Sequence, residues 1–161
     1  MSWSSRSIMA NKISKSLQQA IDGLVIQDVY VKSSQAHCAD DFDSKSTELD
    51  ALLVQQMHLV RRSELVEIDG GGQLVRIYIR LGTRWVNPEE SNEPDIKAFV
   101  EADFIAEYQV TTELEQGAID EFATKNASYH VWPYWRELLS SQCERLRLPK
   151  VVLPIVQFSK Q

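Results

Sequence analysis

The chain has 161 residues, of which 43% are hydrophobic and 25% charged, and its formal net charge is −6 at pH 7. That length supports one domain with a buried core, and the acidic balance excludes a generic binder of nucleic acid or anionic membrane, whose affinity rests on clustered Lys and Arg. No apolar run approaches the roughly 20 residues of a membrane helix, the first residues lack the apolar centre of a secretory signal, and Cys38 and Cys143 form no CxxC pair; a reducing, cytoplasmic setting without membrane insertion is expected.

Residues 1–21 carry Arg6, Lys12 and Lys15 with no acid before Asp22. Their composition is that of a transit peptide, but Met9, Ile13, Leu17, Ala20 and Ile21 share one helical face. An amphipathic helix or tail over 1–23, capped by Gly23, is the reading taken. The main domain then spans 24–161. Its first segment, 24–31, is dense in β-branched residues and predicts a strand. Residues 33–48 are polar and unpatterned, as in a long connection.

Residues 49–68 are ambiguous. Leu49, Leu52, Leu53, Met57 and Val60 fit a helical stripe, whereas 65–68 read as extended. Asp69 and Gly70 to Gly72 then supply a hairpin turn, which requires a strand on each side. Beyond it Val75, Ile77, Ile79 and Leu81 alternate with Arg76, Tyr78, Arg80 and Arg84. After a polar loop over 87–95, Val100, Ala102, Phe104, Ala106, Tyr108 and Val110 alternate with Glu101, Asp103, Glu107 and Gln109. Two half-buried strands paired antiparallel, arginines facing carboxylates, satisfy both patterns.

At Thr112 the period changes to helical. Thr112-x-x-Glu115 has the form of a capping box, and Leu114, Ala118, Ile119 and Phe122 follow on one face until Asn126. A second helix is predicted from Pro133, with Trp135, Leu138, Leu139, Gln142 and Leu146 along one side, stopped by Leu148-Pro149. The apolar tail 151–158 contains Pro154, which keeps it out of a central strand. The fold class is α+β.

The residue chemistry for catalysis is missing. The glycines at 70–72 lack the Lys-Ser/Thr of a phosphate loop, and His37, His58 and His130 have no ligand-spaced partners. Cys143 lies between Leu139 and Leu146 on a helix, a packing position. No enzyme activity, metal or cofactor is expected.

The run Val131-Trp-Pro-Tyr-Trp-Arg-Glu137, followed by Arg145, Leu148, Pro149, Leu153 and Phe158, resembles the signature of the SecB protein-export chaperones. In that family an aromatic-Pro-Tyr-x-Arg-Glu motif opens the long helix. Residues 26–30 are similar to its first strand and 99–101 to its fourth. The resemblance implies a four-stranded antiparallel sheet packed with helices, assembled as a homotetramer that is a dimer of dimers. It also implies an ATP-independent holdase that binds unfolded polypeptide clients in apolar grooves and passes exported ones to the SecA motor.

By that resemblance the groove candidates are Tyr30, Trp132, Trp135, Leu148, Val151, Leu153 and Ile155, and the partner-docking positions are Phe99 and Glu101. The sequence ends three residues after Phe158, short of the family's second C-terminal helix and tail, and it adds an N-terminal helix. These departures resemble the SecB-like branch dedicated to the antitoxin of a toxin–antitoxin operon. A non-chaperone oligomeric adaptor with the same fold is the third reading.

Overall fold

The computed structural model describes residues 13–88 and 93–153. Its elements are helix α1 (Lys15–Gly23), strand β1 (Leu24–Cys38), a 3-10 turn (Leu49–Ala51), strands β2 (Leu53–Glu67), β3 (Gln73–Asn87) and β4 (Asp95–Val110), and helices α2 (Gln116–Lys125) and α3 (Ala127–Leu146). The strands form one antiparallel sheet in the order β1-β4-β3-β2, which leaves β1 and β2 as its edges.

Alternation explains the two central strands. Val75, Ile77, Ile79, Leu81 and Trp85 of β3, with Ala98, Val100, Ala102, Phe104, Ala106 and Tyr108 of β4, all turn to one face and are buried there. The helices cover that face: α3 supplies Val131, Trp132, Trp135, Leu139 and Cys143 to the core, and α2 supplies Ala118, Ile119 and Phe122. The face away from the helices, called the open face below, carries the charged residues. The small Ala98, Ala102 and Ala106 on the central strand let the helix side chains approach the sheet closely.

The β2–β3 hairpin forms at the predicted glycines. Gly70, Gly71 and Gly72 have φ of 97°, 98° and 108°, in the left-handed region that favours glycine. The turn is closed by the Ile68 N–H donating to the Gly72 carbonyl at 3.0 Å.

The charged ladder also forms. On the open face Arg76 Nε donates to Glu107 Oε2 at 2.6 Å, and Arg80 donates twice to Asp103, at 3.0 and 2.9 Å. Asp103 further accepts from Ser33 of β1 and Arg61 of β2, so one carboxylate ties all four strands. The Arg80 bond, with Ser33 and Arg61 adding to it against the cost of burial, holds the Asp103 carboxyl down at about 2, from an ordinary value of 3.8. A depressed carboxylate stabilises the fold above its unfolded value and loses that contribution as pH falls through its folded one. The stability gap between the wild type and Asp103→Asn should therefore be full above about pH 4 and close toward pH 2; urea titrations across that range measure it, and a constant gap would assign the effect to shape rather than charge.

Several expectations need correction. β1 continues to Cys38, through residues assigned to a connection, because an edge strand tolerates polar side chains turned to solvent. Residues 53–67 are strand and not helix: they complete the hairpin by pairing with β3 along their whole length. A bulge between Val60 and Arg62 shifts the alternation, which is why the period was mixed. The capping box does not form, since Glu115 is the N-cap of α2 and no side chain caps it. Helix α3 opens at Ala127, not at Pro133, which lies inside it. It ends where Arg147 turns left-handed at φ 58° and donates back to the carbonyls of Cys143 and Glu144.

Helix α1 is capped by Ser14, whose Oγ accepts from the Leu17 N–H at 3.0 Å and donates to Glu121 of α2 at 2.6 Å. Leu17 and Ala20 are buried, Ile21 is partly buried and Ile13 is exposed, while Met9 lies outside the described residues. Gly23 ends the helix without a positive φ. Its requirement is space, since a Cβ there would stand 2.7 Å from Thr112 Oγ1.

Candidate functional site

The structure divides the predicted site residues between the two faces of the sheet. Trp132 and Trp135 turn inward from α3, and Trp135 is 1% exposed with its ring edge-on to Phe104, centroids 6.4 Å apart. Leu148 and Leu153 are buried against the same core, and Val151 is partly buried there. Ile155 lies outside the described residues. Within one protomer these side chains fill the interior.

Tyr30 is on the other side. It pairs with Ile105, whereas its neighbours Val29 and Val31 pair with Ala106 and Phe104 of the helix-covered face. Its phenol is pushed up first by burial and then by Glu107, an open-face carboxylate. The bulge between Ile26 and Asp28 sets that orientation. Tyr30 therefore does not meet the tryptophans of α3 within one protomer. Phe99 and Glu101 share the open face with Tyr30, and Phe99 packs on the ring of His37, centroids 5.8 Å apart.

More than half of the large apolar residues that the chain leaves exposed, among those described, lie along its edge strands. Val25, Ile26 and Val31 of β1 are exposed, as are Leu53, Val54, Met57 and Leu59 of β2. Leu53, Met57 and Leu59 share the open face with Gln55 and form an apolar row that Gln55 interrupts, with Leu53 52% and Leu59 46% exposed. The row was hidden in the sequence because Leu53 and Met57 also fit a helical stripe.

Beside the row lies a cavity of about 410 Å³ lined by Gln55, Gln56, Met57, Gly82, Thr83, Arg84 and Glu101. Gly82 makes it possible, since a Cβ there would stand 2.9 Å from Met57 Cε and 3.3 Å from Glu101 Cγ. The ladder is interrupted at this point. Gly82 faces Glu101 where an arginine would continue the series, and Arg84 donates to the neutral Gln55 amide at 2.6 Å.

The two edges differ. β1 carries two bulges, between Ile26 and Asp28 and between Val31 and Ser33, while β2 pairs regularly from Leu53 to Val60 and has one bulge after it. Bulges twist an edge away from new partners. The regular part of β2, whose outer backbone edge pairs with no other described strand and which has apolar side chains on both faces, suits an incoming extended chain.

Among the described residues no group of three or more His, Cys, Asp or Glu is placed to hold a metal ion, and no helix is long and apolar enough to cross a membrane. Burial pushes the thiols of Cys38 and Cys143 up, away from the reactive thiolate.

No protein-family model matches the chain, and no curated protein does. Among solved structures it is similar to a SecB-like chaperone of Mycobacterium tuberculosis in complex with a ChAD peptide from an antitoxin. The match has a TM-score of 0.69 at 16% identity and covers 91% of this chain and 99% of that one. The sheet order, the covering helices and this overlap identify the chain's architecture as the SecB-like α+β fold.

Proposed function

We propose that the chain is an ATP-independent holding chaperone that binds non-native polypeptide. The observation that carries this reading is the apolar row of Leu53, Met57 and Leu59 beside the unpaired edge of β2. Apolar contact at about 25 cal/mol per Å² needs no particular client shape, and edge hydrogen bonds are made to backbone, which every client has. Together they support weak, multipoint binding of many sequences. The Glu101 carboxylate beside the cavity and the acidic balance of the chain favour clients with basic side chains.

The proposal extends to assembly. Tyr30, Trp132, Trp135, Leu148, Val151, Leu153 and Ile155 remain the resemblance's groove candidates, and a groove uniting Tyr30 with the tryptophans of α3 requires more than one protomer. A dimer of dimers supplies that, and native mass measurement tests it. Delivery to SecA through Phe99 and Glu101 belongs to the same reading, as does a cytoplasmic location.

A second reading is supported by the similar structure, which holds an antitoxin peptide: the chain serves one antitoxin. Aggregation assays separate the two. A general holdase suppresses aggregation of several unrelated unfolded proteins at a few-fold molar excess, whereas a dedicated one protects an antitoxin and leaves the others to precipitate. Protection of none supports an oligomeric adaptor and removes both chaperone readings.

A further inference from the structure

The start of helix α3 is held down by two histidine contacts that the binding surface does not use. His130 Nδ1 lies 2.7 Å from the Tyr108 hydroxyl of β4, and two residues earlier Ser128 Oγ lies 2.6 Å from His58 Nε2 of β2. Tyr108 is fully buried, its ring edge-on to Phe122 of α2 with centroids 5.0 Å apart. His130 packs on the same Phe122 at 6.4 Å. Burial keeps the phenol protonated, and in the Nε2–H tautomer of a neutral imidazole it donates to Nδ1.

Two backbone features make this first part of α3 separable. It is joined to α2 through Asn126 alone, and Pro133 inside the helix has no N–H to give to the carbonyl of Tyr129. Residues 127–132 are therefore bound to the remainder of α3 by a weakened ladder and to the sheet partly by the histidine contacts. The segment itself buries Ala127, Val131 and Trp132, and Tyr108 and Phe122 lie against its His130.

We infer that the Tyr108–His130 contact is a proton-operated latch, whose opening in mild acid frees residues 127–132 from the sheet and uncovers the apolar surface below. Protonated imidazole has donors on both nitrogens. The Tyr108 hydroxyl then loses its acceptor in a buried place, where an unmade bond is costly. From β4 the titratable group facing His130 is Tyr108, and from α2 the facing group is the uncharged Phe122. Burial is the one resolved cause acting on His130, and it lowers the affinity for the proton from the ordinary value of 6.5. The neutral, latched state is thus complete above that value, and the latch weakens as pH falls below it. His58 is also half-buried and shifted down by burial, but its contact with Ser128 survives protonation, because the hydroxyl accepts from the Nε2–H.

The test is amide hydrogen exchange of residues 127–132 from about pH 7.5 to about pH 5, corrected for intrinsic rates. In the wild type, exchange there is expected to rise about tenfold per pH unit below the folded value of His130, with the amides of β3 and β4 unchanged. His130→Asn keeps an acceptor at the Nδ1 position and cannot be protonated, while leaving His58 in place. It should stay latched across the range, and Tyr108→Phe should be open at every pH. Equal acid opening in His130→Asn and wild type overturns the proposal, as does a wild type with no opening. Should either variant fail to fold, the NMR titration midpoint of His130 in the wild type is compared with the midpoint of exchange. Coincidence supports the latch, and separation by more than about one pH unit overturns it.

Discussion

Trp135→Ala is expected to destabilise the chain by about 3–5 kcal/mol, the usual loss when a buried aromatic is truncated to alanine. The side chain is 1% exposed, sits edge-on to Phe104 and joins the helix to the central strand β4. Its removal leaves a cavity between rigid elements that cannot collapse onto it. A domain of this size is stable by roughly 5–15 kcal/mol, so the variant should lose much of its margin, with a urea midpoint lower by roughly 1–3 M. Tyr134→Ala, at the exposed neighbouring position, should shift stability by less than about 0.5 kcal/mol. The pair decides how Trp135 is used. If it lined a client groove, Trp135→Ala would keep its midpoint and lose client affinity instead.

The second large effect concerns the β2 edge. Replacing Leu53, Met57 and Leu59 together with serine should keep the fold at a modest cost in urea midpoint, because the three residues, 52%, 37% and 46% exposed, bury only part of their surface within the chain. Client affinity should fall sharply. Each side chain has about 1 kcal/mol of further burial to offer a client; three of them, on alternate positions of one strand, contribute about 3 kcal/mol, or roughly 100-fold in affinity. Fluorescence titration with an unfolded client measures it. An unchanged affinity with an intact fold would place the client elsewhere.

The sequence reading succeeded where alternation was undisturbed. β3 and β4 pair without a shift from Leu74 to Trp85, so their apolar positions, their arginines and their carboxylates could each be assigned to a face. The glycine turn was equally legible, since three consecutive positive φ values admit little else. Reading failed at the bulges. The bulge after Val60 breaks the alternation between the two halves of β2, and the shift near Gln27 decides which face receives Tyr30.

The helix start was misplaced for another reason. Pro133 suits a first helical turn, but His130 and Ser128 hold an earlier turn to the sheet through Tyr108 and His58, partners remote in sequence. The candidate site was less legible than the fold. The resemblance pointed to Trp132 and Trp135, which within this chain are buried, while the exposed row on β2 consists of aliphatic side chains without a motif.

Hydrogen exchange of the β2 amides in the presence of an unfolded client addresses the main claim most directly. The account predicts that residues 53–60 gain protection when the client is added and lose it when the client folds. Unchanged exchange along 53–60 at a client concentration that saturates binding would contradict it.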